Sequence, residues 1–275
     1  MAIRPQGRSS PAGRGTLLSV SETAATQAVV QTLRAAGCVF AEDEARLLRE
    51  QFAGAELEHA VRRRCAGEPL EYLLGWAEFD GLRVAVRPGV FVPRRRTELL
   101  ARVAARLLQS GDTVLDMCCG AGAVAAALVR RVPGLRVVAA DSDPAATACA
   151  ERNLAGATVV TGNLFAPVPA ALRGRIAVIT ANAPYVPTDA IALMPAEARD
   201  HEARAALDGG PDGLEVHRRI AAAAPDWLMP GGALVVESSN AQQRAHVELL
   251  RHNGFVVAEH RDDESGAMVL AGRLP

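Results

Sequence analysis

From about residue 97 onward, short and nearly uninterrupted apolar runs alternate with stretches of helical period, and this alternation admits few folds. Runs at Thr113–Asp116, Arg136–Asp141, Thr158–Thr161, Ile176–Asn182 and Ala233–Glu237 have the length of strands. A first helix is predicted over Thr97–Leu108, and further helices over Ala123–Arg131, Pro144–Asn153 and Leu214–Ala224. Strands apolar on both faces must be covered on both faces, so the pattern predicts a parallel sheet between helical layers. The tail breaks the alternation. Phe255–His260 and Met268–Arg273 are separated only by the acidic turn Asp262-Asp263-Glu264-Ser265-Gly266. Two strands so close must pair antiparallel, which makes a seven-stranded α/β sheet with an antiparallel terminal hairpin.

The first third reads differently. Residues 1–15 are rich in Gly, Pro, Ser and Arg with no apolar period, the pattern of a disordered tail. Residues 16–77 read as a small helical domain. Ala25, Val29, Val30, Leu33 and Ala36 recur at helical spacing before Gly37. Ala45, Leu47, Leu48 and Phe52 mark a second helix, and Leu57, Ala60, Val61 and Arg64 a third, stopped by Gly67 and Pro69. Over residues 78–93 the period shortens to two. Leu82, Val84 and Val86 alternate, Pro88-Gly89 turns, and Val90-Phe91-Val92 returns, which predicts a β-hairpin linker to a domain spanning 94–275.

Composition narrows the function classes. The chain is 49% hydrophobic with formal net charge −1, enough apolar matter for a core and no bulk charge to hold a polyanion. All 30 basic residues are arginine, which reads as GC-rich coding before function. The aromatic content of 4% supplies few stacking platforms for single-stranded nucleic acid, so no direct nucleic-acid partner is expected. No apolar run reaches the ~18–20 residues that span a bilayer, so no membrane partner is expected either. The five cysteines (Cys38, Cys65, Cys118, Cys119 and Cys149) form no CxxC pair, and no signal peptide is evident, so a reducing, cytoplasmic setting is expected. The six histidines are scattered, read as surface residues, and no metal site is predicted.

The first strand of the α/β region ends Val114-Leu115-Asp116 and runs through Met117-Cys118-Cys119-Gly120-Ala121-Gly122 into a helix. Glycines at the carboxyl end of a first strand let a ligand approach the backbone, and the helix start favours a carboxylate or phosphate. The second strand ends Ala139-Ala140-Asp141, where a carboxylate can accept both ribose hydroxyls of an adenosine. The competing role for Asp141, capping the next helix, falls better to Asp143, which precedes Pro144. The vicinal Cys118-Cys119 reads as small, apolar loop filling.

The fourth strand leaves through Asn182-Ala183-Pro184-Tyr185-Val186-Pro187. A carboxamide oxygen and backbone carbonyls converging there, with an aromatic ring beside them, suit a planar NH₂ group. Two acceptors fix its hydrogens, and its lone pair is then aimed at an electrophile.

At this point the chain resembles the HemK/PrmC-type protein-(glutamine-N5) methyltransferases. Asn182-Ala183-Pro184-Tyr185 is similar to the family's Asn-Pro-Pro-Tyr, and Gly67-Glu68-Pro69-Leu70 with Tyr72 and Gly75 to the end of its amino-terminal domain. Phe91-Val92-Pro93-Arg94-Arg95-Arg96-Thr97-Glu98 resembles its Pro-Arg-Pro-Glu-Thr-Glu segment, and Gly162-Asn163-Leu164-Phe165 its Gly-Asp-Leu-Phe. Ala206-Leu207-Asp208-Gly209-Gly210, Asp212-Gly213-Leu214 and Arg218-Arg219-Ile220 resemble its post-motif loop and helix, the most specific stretch. The resemblance implies a class I S-adenosylmethionine (SAM) methyltransferase, Rossmann-like, behind a helical domain that grips a protein substrate. It implies SAM on Asp116 and the loop Cys118, Cys119, Gly120, Ala121 and Gly122, ribose on Asp141 beside Ser142, adenine near Asn163 and Leu164, and the methyl group close to Asn182. It further implies that Asn182 and the Ala183 carbonyl hold a glutamine amide, that Pro184, Tyr185 and Phe91 wall the pocket with Pro93 and Arg94 nearby, and that the substrate is the Gly-Gly-Gln loop of a peptide-chain release factor.

Three departures mark a divergent member. Ala183 replaces a proline and loosens the turn. Cys118 replaces the first loop glycine, which requires a negative φ there. Arg95 and Arg96 replace Pro and Glu, making Arg94-Arg95-Arg96 either a solvated face or a substrate contact. A nucleobase NH₂ methyltransferase would use the same turn but needs a basic groove. A SAM-binding regulator without activity would leave the turn without work. A nicotinamide oxidoreductase would explain neither the turn nor the terminal hairpin.

Overall fold

The computed structural model describes residues 20–275, with side chains from Ala24. The expected tail at 1–15 lies outside the described residues. The chain divides into two compact units, one ending at Ala66 and one spanning Gly67–Pro275.

The first unit holds three helices: α1 (Val20–Ala35), α2 (Ala41–Gln51) and α3 (Gly54–Cys65). Val30, Leu33, Cys38, Ala41, Ala45, Leu48, Ala60 and Val61 are its buried apolar residues among those described, and Glu44 is buried beside them. Glu44 and Arg64 meet at 2.7 Å with both side chains mostly buried, so each supplies the partner that the other needs away from water.

The second unit opens with a short helix, α4 (Leu70–Leu74), ended by Gly75 at φ 77°, and a hairpin of β1 (Trp76–Phe79) and β2 (Leu82–Ala85). The hairpin stands earlier than the sequence predicts. Its turn is Asp80-Gly81, and Val90-Phe91-Val92 forms no strand with it. The Trp76–Phe79 run was hidden because it follows a helix without a break. Asp80 at the turn is held by Arg131, and Asn153 binds both the N–H and the C=O of Ala85 at 2.9 Å.

The sheet has the order β5-β4-β3-β6-β7-β9-β8. Its strands are β3 (Thr113–Met117), β4 (Arg136–Asp141), β5 (Thr158–Thr161), β6 (Ile176–Ala181), β7 (Leu228–Ser238), β8 (Val256–Asp262) and β9 (Ala267–Arg273). The first five are parallel, and β9 pairs antiparallel with both β7 and β8. The strand that lay farthest from expectation is β7, which starts five residues early because Gly231 and Gly232 sit inside it. Helices α5 (Glu98–Ala105), α6 (Ala123–Arg131), α7 (Pro144–Asn153), α9 (Glu215–Ala223) and α10 (Gln243–His252) cover the faces, and a short α8 (Ala196–His201) lies in the β6–α9 connection. Alternate strand residues feed two separate cores: Val114, Ala139, Val178 and Val235 on one face, Leu115, Ala140, Ile179 and Leu234 on the other. That division is what a twofold side-chain period demands. The order reverses at β3, between β4 and β6, so the carboxyl ends of these strands open on a crevice suited to a ligand.

The histidines depart from expectation. His217 on α9 and His246 on α10 are buried, with ring centroids 4.4 Å apart edge to face. Burial drives the ionisation of both down, His246 to about 4. Both helices place every third or fourth residue inward, and His217 and His246 fall on those inward positions beside Ile220 and Leu250.

Candidate active site

A cleft opens at the carboxyl ends of β3, β4 and β6. One wall comes from the β3–α6 loop and the end of β4: Asp116, Cys118, Cys119, Gly120, Ala121, Asp141, Ser142 and Asp143 line it. The opposite wall is Asn182, Ala183, Pro184 and Tyr185 after β6, joined by Phe91, Pro93, Arg94, Arg96 and Thr97. Fourteen of the seventeen expected site residues therefore meet around one cavity. Gly122, Asn163 and Leu164 are absent from the lining. Gly122, at φ 78°, is where α6 presses on α7, and a Cβ there would stand 2.9 Å from Leu154 Cδ1. Asn163 is exposed and accepts a hydrogen bond from Arg219 at 2.6 Å. Leu164 next to it takes φ 49°.

The loop is built on backbone acceptance. Asp141 receives the Gly120 N–H at 2.8 Å and the Asp143 N–H at 2.9 Å. Asp143 caps α7 by accepting from the Ala145 N–H, which leaves Asp141 free of that duty. Cys118 adopts φ 56°, against the negative angle expected for a residue with a Cβ. The chain therefore keeps the left-handed geometry that suits glycine and bears a cost of order 1–2 kcal/mol at this position.

Asp116 lies beneath the loop, 1% exposed. It accepts from Thr180 Oγ1 at 2.8 Å and from the Ala125 N–H at 3.1 Å. Burial pushes its carboxyl up to about 7, offset in part by those two donors. Burial raises Asp141 as well. The same desolvation, with Asp116 and Asp141 nearby, raises both Cys118 and Cys119. The two thiols stay protonated at neutral pH and fill space.

These residues fit SAM. The loop-side wall carries three carboxylates and no basic side chain among its described residues. Such a wall repels a diphosphate and attracts a cofactor bearing a sulfonium and an ammonium.

On the far wall, Asn182 Nδ2 donates to Thr97 Oγ1 at 3.3 Å. That contact ties the amide to the buried threonine, and its oxygen has acceptor capacity for a further hydrogen bond. Behind the wall, the Leu207–Leu214 loop bears directly on the turn. The Gly209 N–H binds the Val186 carbonyl at 2.9 Å, and Gln242 Nε2 donates to the carbonyls of Tyr185 and Asp212, each at 2.9 Å. A Cβ on Gly213 would stand 2.3 Å from the Tyr185 carbonyl oxygen. The loop that carries the most specific part of the resemblance is thus the buttress of the Asn182–Tyr185 turn.

The arginine run divides. Arg94 reaches buried Glu202 at 2.6 Å and lies over the Phe91 ring, while Arg96 reaches buried Glu237 at 3.1 Å. Arg95 and Arg96 are both exposed, but the Arg96 guanidinium is tied to Glu237. Sequence reasoning missed Thr97, Glu202, Glu237 and Gln242, and only Thr97 lies within a motif that could have pointed to it.

Comparison with known proteins places the chain in a family. Residues 81–213 match the family model "Methyltransferase small domain". The release factor glutamine methyltransferase of Geobacter sulfurreducens is 39% identical over 219 residues, 78% of this chain and 76% of that one. Its counterpart in Mycolicibacterium smegmatis is 36% identical over 264 residues, 88% and 93% of the two chains. Among solved structures, a Thermus thermophilus 16S rRNA guanine methyltransferase in complex with AdoMet and guanosine superposes with TM-score 0.54 at 21% identity, over 73% of this chain and 50% of that one, which speaks to the fold alone. With its acidic loop, its Asn182–Tyr185 wall and relatives matched over most of their length, the chain belongs to the release factor glutamine methyltransferase family.

Proposed function

We infer that this chain transfers a methyl group from SAM to the side-chain amide nitrogen of a glutamine in a peptide-chain release factor, and that the glutamine is that of a Gly-Gly-Gln loop. Asn182 carries the reading: its carboxamide nitrogen meets Thr97, and the residue lines the same cleft as the acidic loop. Bound SAM supplies an electrophilic methyl carbon on a positively charged sulfur.

Asp141 binds the ribose hydroxyls, and the acidic wall holds the cofactor's cationic end. Asn182 Oδ1 and the Ala183 carbonyl accept the two hydrogens of the substrate amide and turn its nitrogen toward the methyl. An amide nitrogen is a weak nucleophile, because its lone pair is delocalised into the carbonyl. The two acceptors oppose that loss by strengthening as positive charge develops on nitrogen, so they favour the transition state over the ground state. The nitrogen gains the methyl, and one amide proton leaves to solvent. No side chain on this wall is placed as a strong base. Burial and Glu237 push the Tyr185 phenol up to about 12, so at neutral pH it stays protonated and serves as a wall.

The test is incubation with isotope-labelled SAM and purified release factor, followed by mass localisation of the methyl. Label on the Gly-Gly-Gln glutamine supports the reading. Label on a nucleobase in an RNA control, or on no substrate, refutes it.

A further inference from the structure

Tyr185 is held at its hydroxyl by two charged groups from elsewhere in the chain. Arg96 Nη2 donates to the phenol oxygen, and the phenol O–H donates to Glu237 Oε1 at 3.2 Å. Arg96 Nε closes the triangle by donating to the same Glu237 oxygen at 3.1 Å. The guanidinium carbon lies 5.9 Å from the centre of the Tyr185 ring. The three corners come from the start of α5, the turn after β6 and the end of β7.

Each member needs the other two. The Glu237 side chain is 1% exposed and its Oε2 has no partner, so the adjacent guanidinium is the opposite charge that a carboxyl group buried there needs. Arg96 lines the cleft with its side chain 45% exposed. An unpaired cation there would oppose both a sulfonium cofactor and the positive charge that develops on the substrate nitrogen. Glu237 removes that penalty. The phenol spends its proton on Glu237 and a lone pair on Arg96, so neither is left for chemistry, and the ring is pinned at its far end. In the Pro-Arg-Pro-Glu-Thr-Glu pattern that this segment resembles, position 96 is an acid. An acid there would face Glu237 with like charge, so the clasp belongs to the arginine of this chain.

We propose that Arg96 is a positioning residue for methyl transfer: together with Glu237 it fixes the plane of the Tyr185 ring, against which the substrate amide is held. The inference rests on the reading that the Asn182–Tyr185 turn receives a glutamine amide. A ring that rocks leaves cofactor binding intact and spoils the alignment of nitrogen, methyl carbon and sulfur. Misalignment is paid in kcat, by roughly 10- to 100-fold for displacements of ångström scale.

The experiment is a double-mutant cycle on the full chain with Arg96→Met and Tyr185→Phe, reading kcat on release factor and Kd for SAM. Each single variant is expected to lower kcat by roughly 10-fold or more with SAM affinity within about twofold of the unchanged protein. The double variant should be no slower than the slower single, because each substitution breaks the same clasp. Arg96→Lys should not rescue, since an ammonium cannot present two fixed N–H groups to Glu237 and Tyr185 at once. Independent, multiplying effects would overturn the inference. So would wild-type kcat in Arg96→Met, full rescue by lysine, or loss of SAM binding in Arg96→Met, which would make the residue a general structural support. Should the unchanged protein methylate no glutamine, the preceding reading fails and this one with it. Glutamine methylation with independent effects sinks this one alone.

Discussion

Raising the pH from 5 to 8 should destabilise the SAM-free second unit through Asp116, and Asp116→Asn should abolish that component. The carboxyl lies at 3.8 in an unfolded chain and at about 7 in the folded one. The folded state therefore binds the proton more tightly. Its stabilising effect is complete below pH 3.8 and is lost as pH climbs through 7. The gap of about 3 pKa units corresponds to roughly 4 kcal/mol in full, of which roughly 2–3 kcal/mol falls between pH 5 and 8. Asp116 is fully buried, so solvent screening takes little from that figure. The buried histidines oppose it: His246 goes from 6.5 unfolded to about 4 folded, so its contribution to stability rises with pH over that interval. For this reason the informative quantity is the difference between the unchanged protein and Asp116→Asn, in which the histidine contribution cancels. Asparagine cannot accept from both Thr180 and the Ala125 N–H, but that loss is a constant offset with no pH dependence. Both tryptophans, Trp76 and Trp227, lie in the second unit, so their fluorescence follows its unfolding in urea without interference from the first. The expected result is a stability difference that moves against the unchanged protein by roughly 2–3 kcal/mol from pH 5 to 8. Saturating SAM should shrink that drift, because a bound cation favours the ionised carboxylate. Parallel pH profiles for the two proteins would show that Asp116 does not titrate in this range and would refute the reasoning.

Four further outcomes are expected. Asn182→Ala removes one preorganised acceptor and should lower kcat by ~10²–10³ with a smaller effect on SAM affinity; near wild-type turnover at saturating SAM would dismiss its role. Asp141→Ala should weaken SAM binding by ~1.5–3 kcal/mol through loss of charge-assisted hydrogen bonds, read by calorimetry, and unchanged affinity would mean another acid holds the ribose. Gly213→Ala forces a Cβ toward the Tyr185 carbonyl at φ 75° and should cost ~1–3 kcal/mol of stability along with turnover, measurable by urea unfolding and rate assays. A chain starting at Gly67 should retain SAM binding, because every residue lining the cleft lies in the second unit; loss of binding would contradict that independence.

What the sequence exposes and what it hides divide along the range of the interactions. The parallel strands and terminal hairpin were legible because alternation and apolar run length are local. Asp141 and Asn182 were legible because each sits where a strand ends into a turn. Glu202 and Glu237 were not, because an acid that is buried looks in sequence like an acid in solvent; their burial depends on Arg94 and Arg96, more than a hundred residues away. The sign of φ at Cys118 was misread for a related reason. The loop geometry is set by the strands that it joins and by the Asp141 carboxylate that receives the Gly120 N–H, so the residue follows the loop and bears the strain. The hairpin turn was misplaced because Pro88-Gly89 was read as the turn, although Asp80-Gly81, with φ 51° and 71°, is the dipeptide that a two-residue hairpin turn favours.

The position of β9 bears on how the molecule comes to exist. The last strand of the sheet in chain order is interior: it enters between β7 and β8, with six of its seven residues buried. While the chain is still growing, β7 has an open flank on the side that β9 will occupy, and β8 has no neighbour at all. An open, apolar strand edge invites pairing with any other chain. The nascent protein is thus association-prone until β9 emerges and closes the sheet. Deleting β9 would leave β8 without its neighbour and reopen the flank of β7, a far larger loss than deleting a peripheral strand.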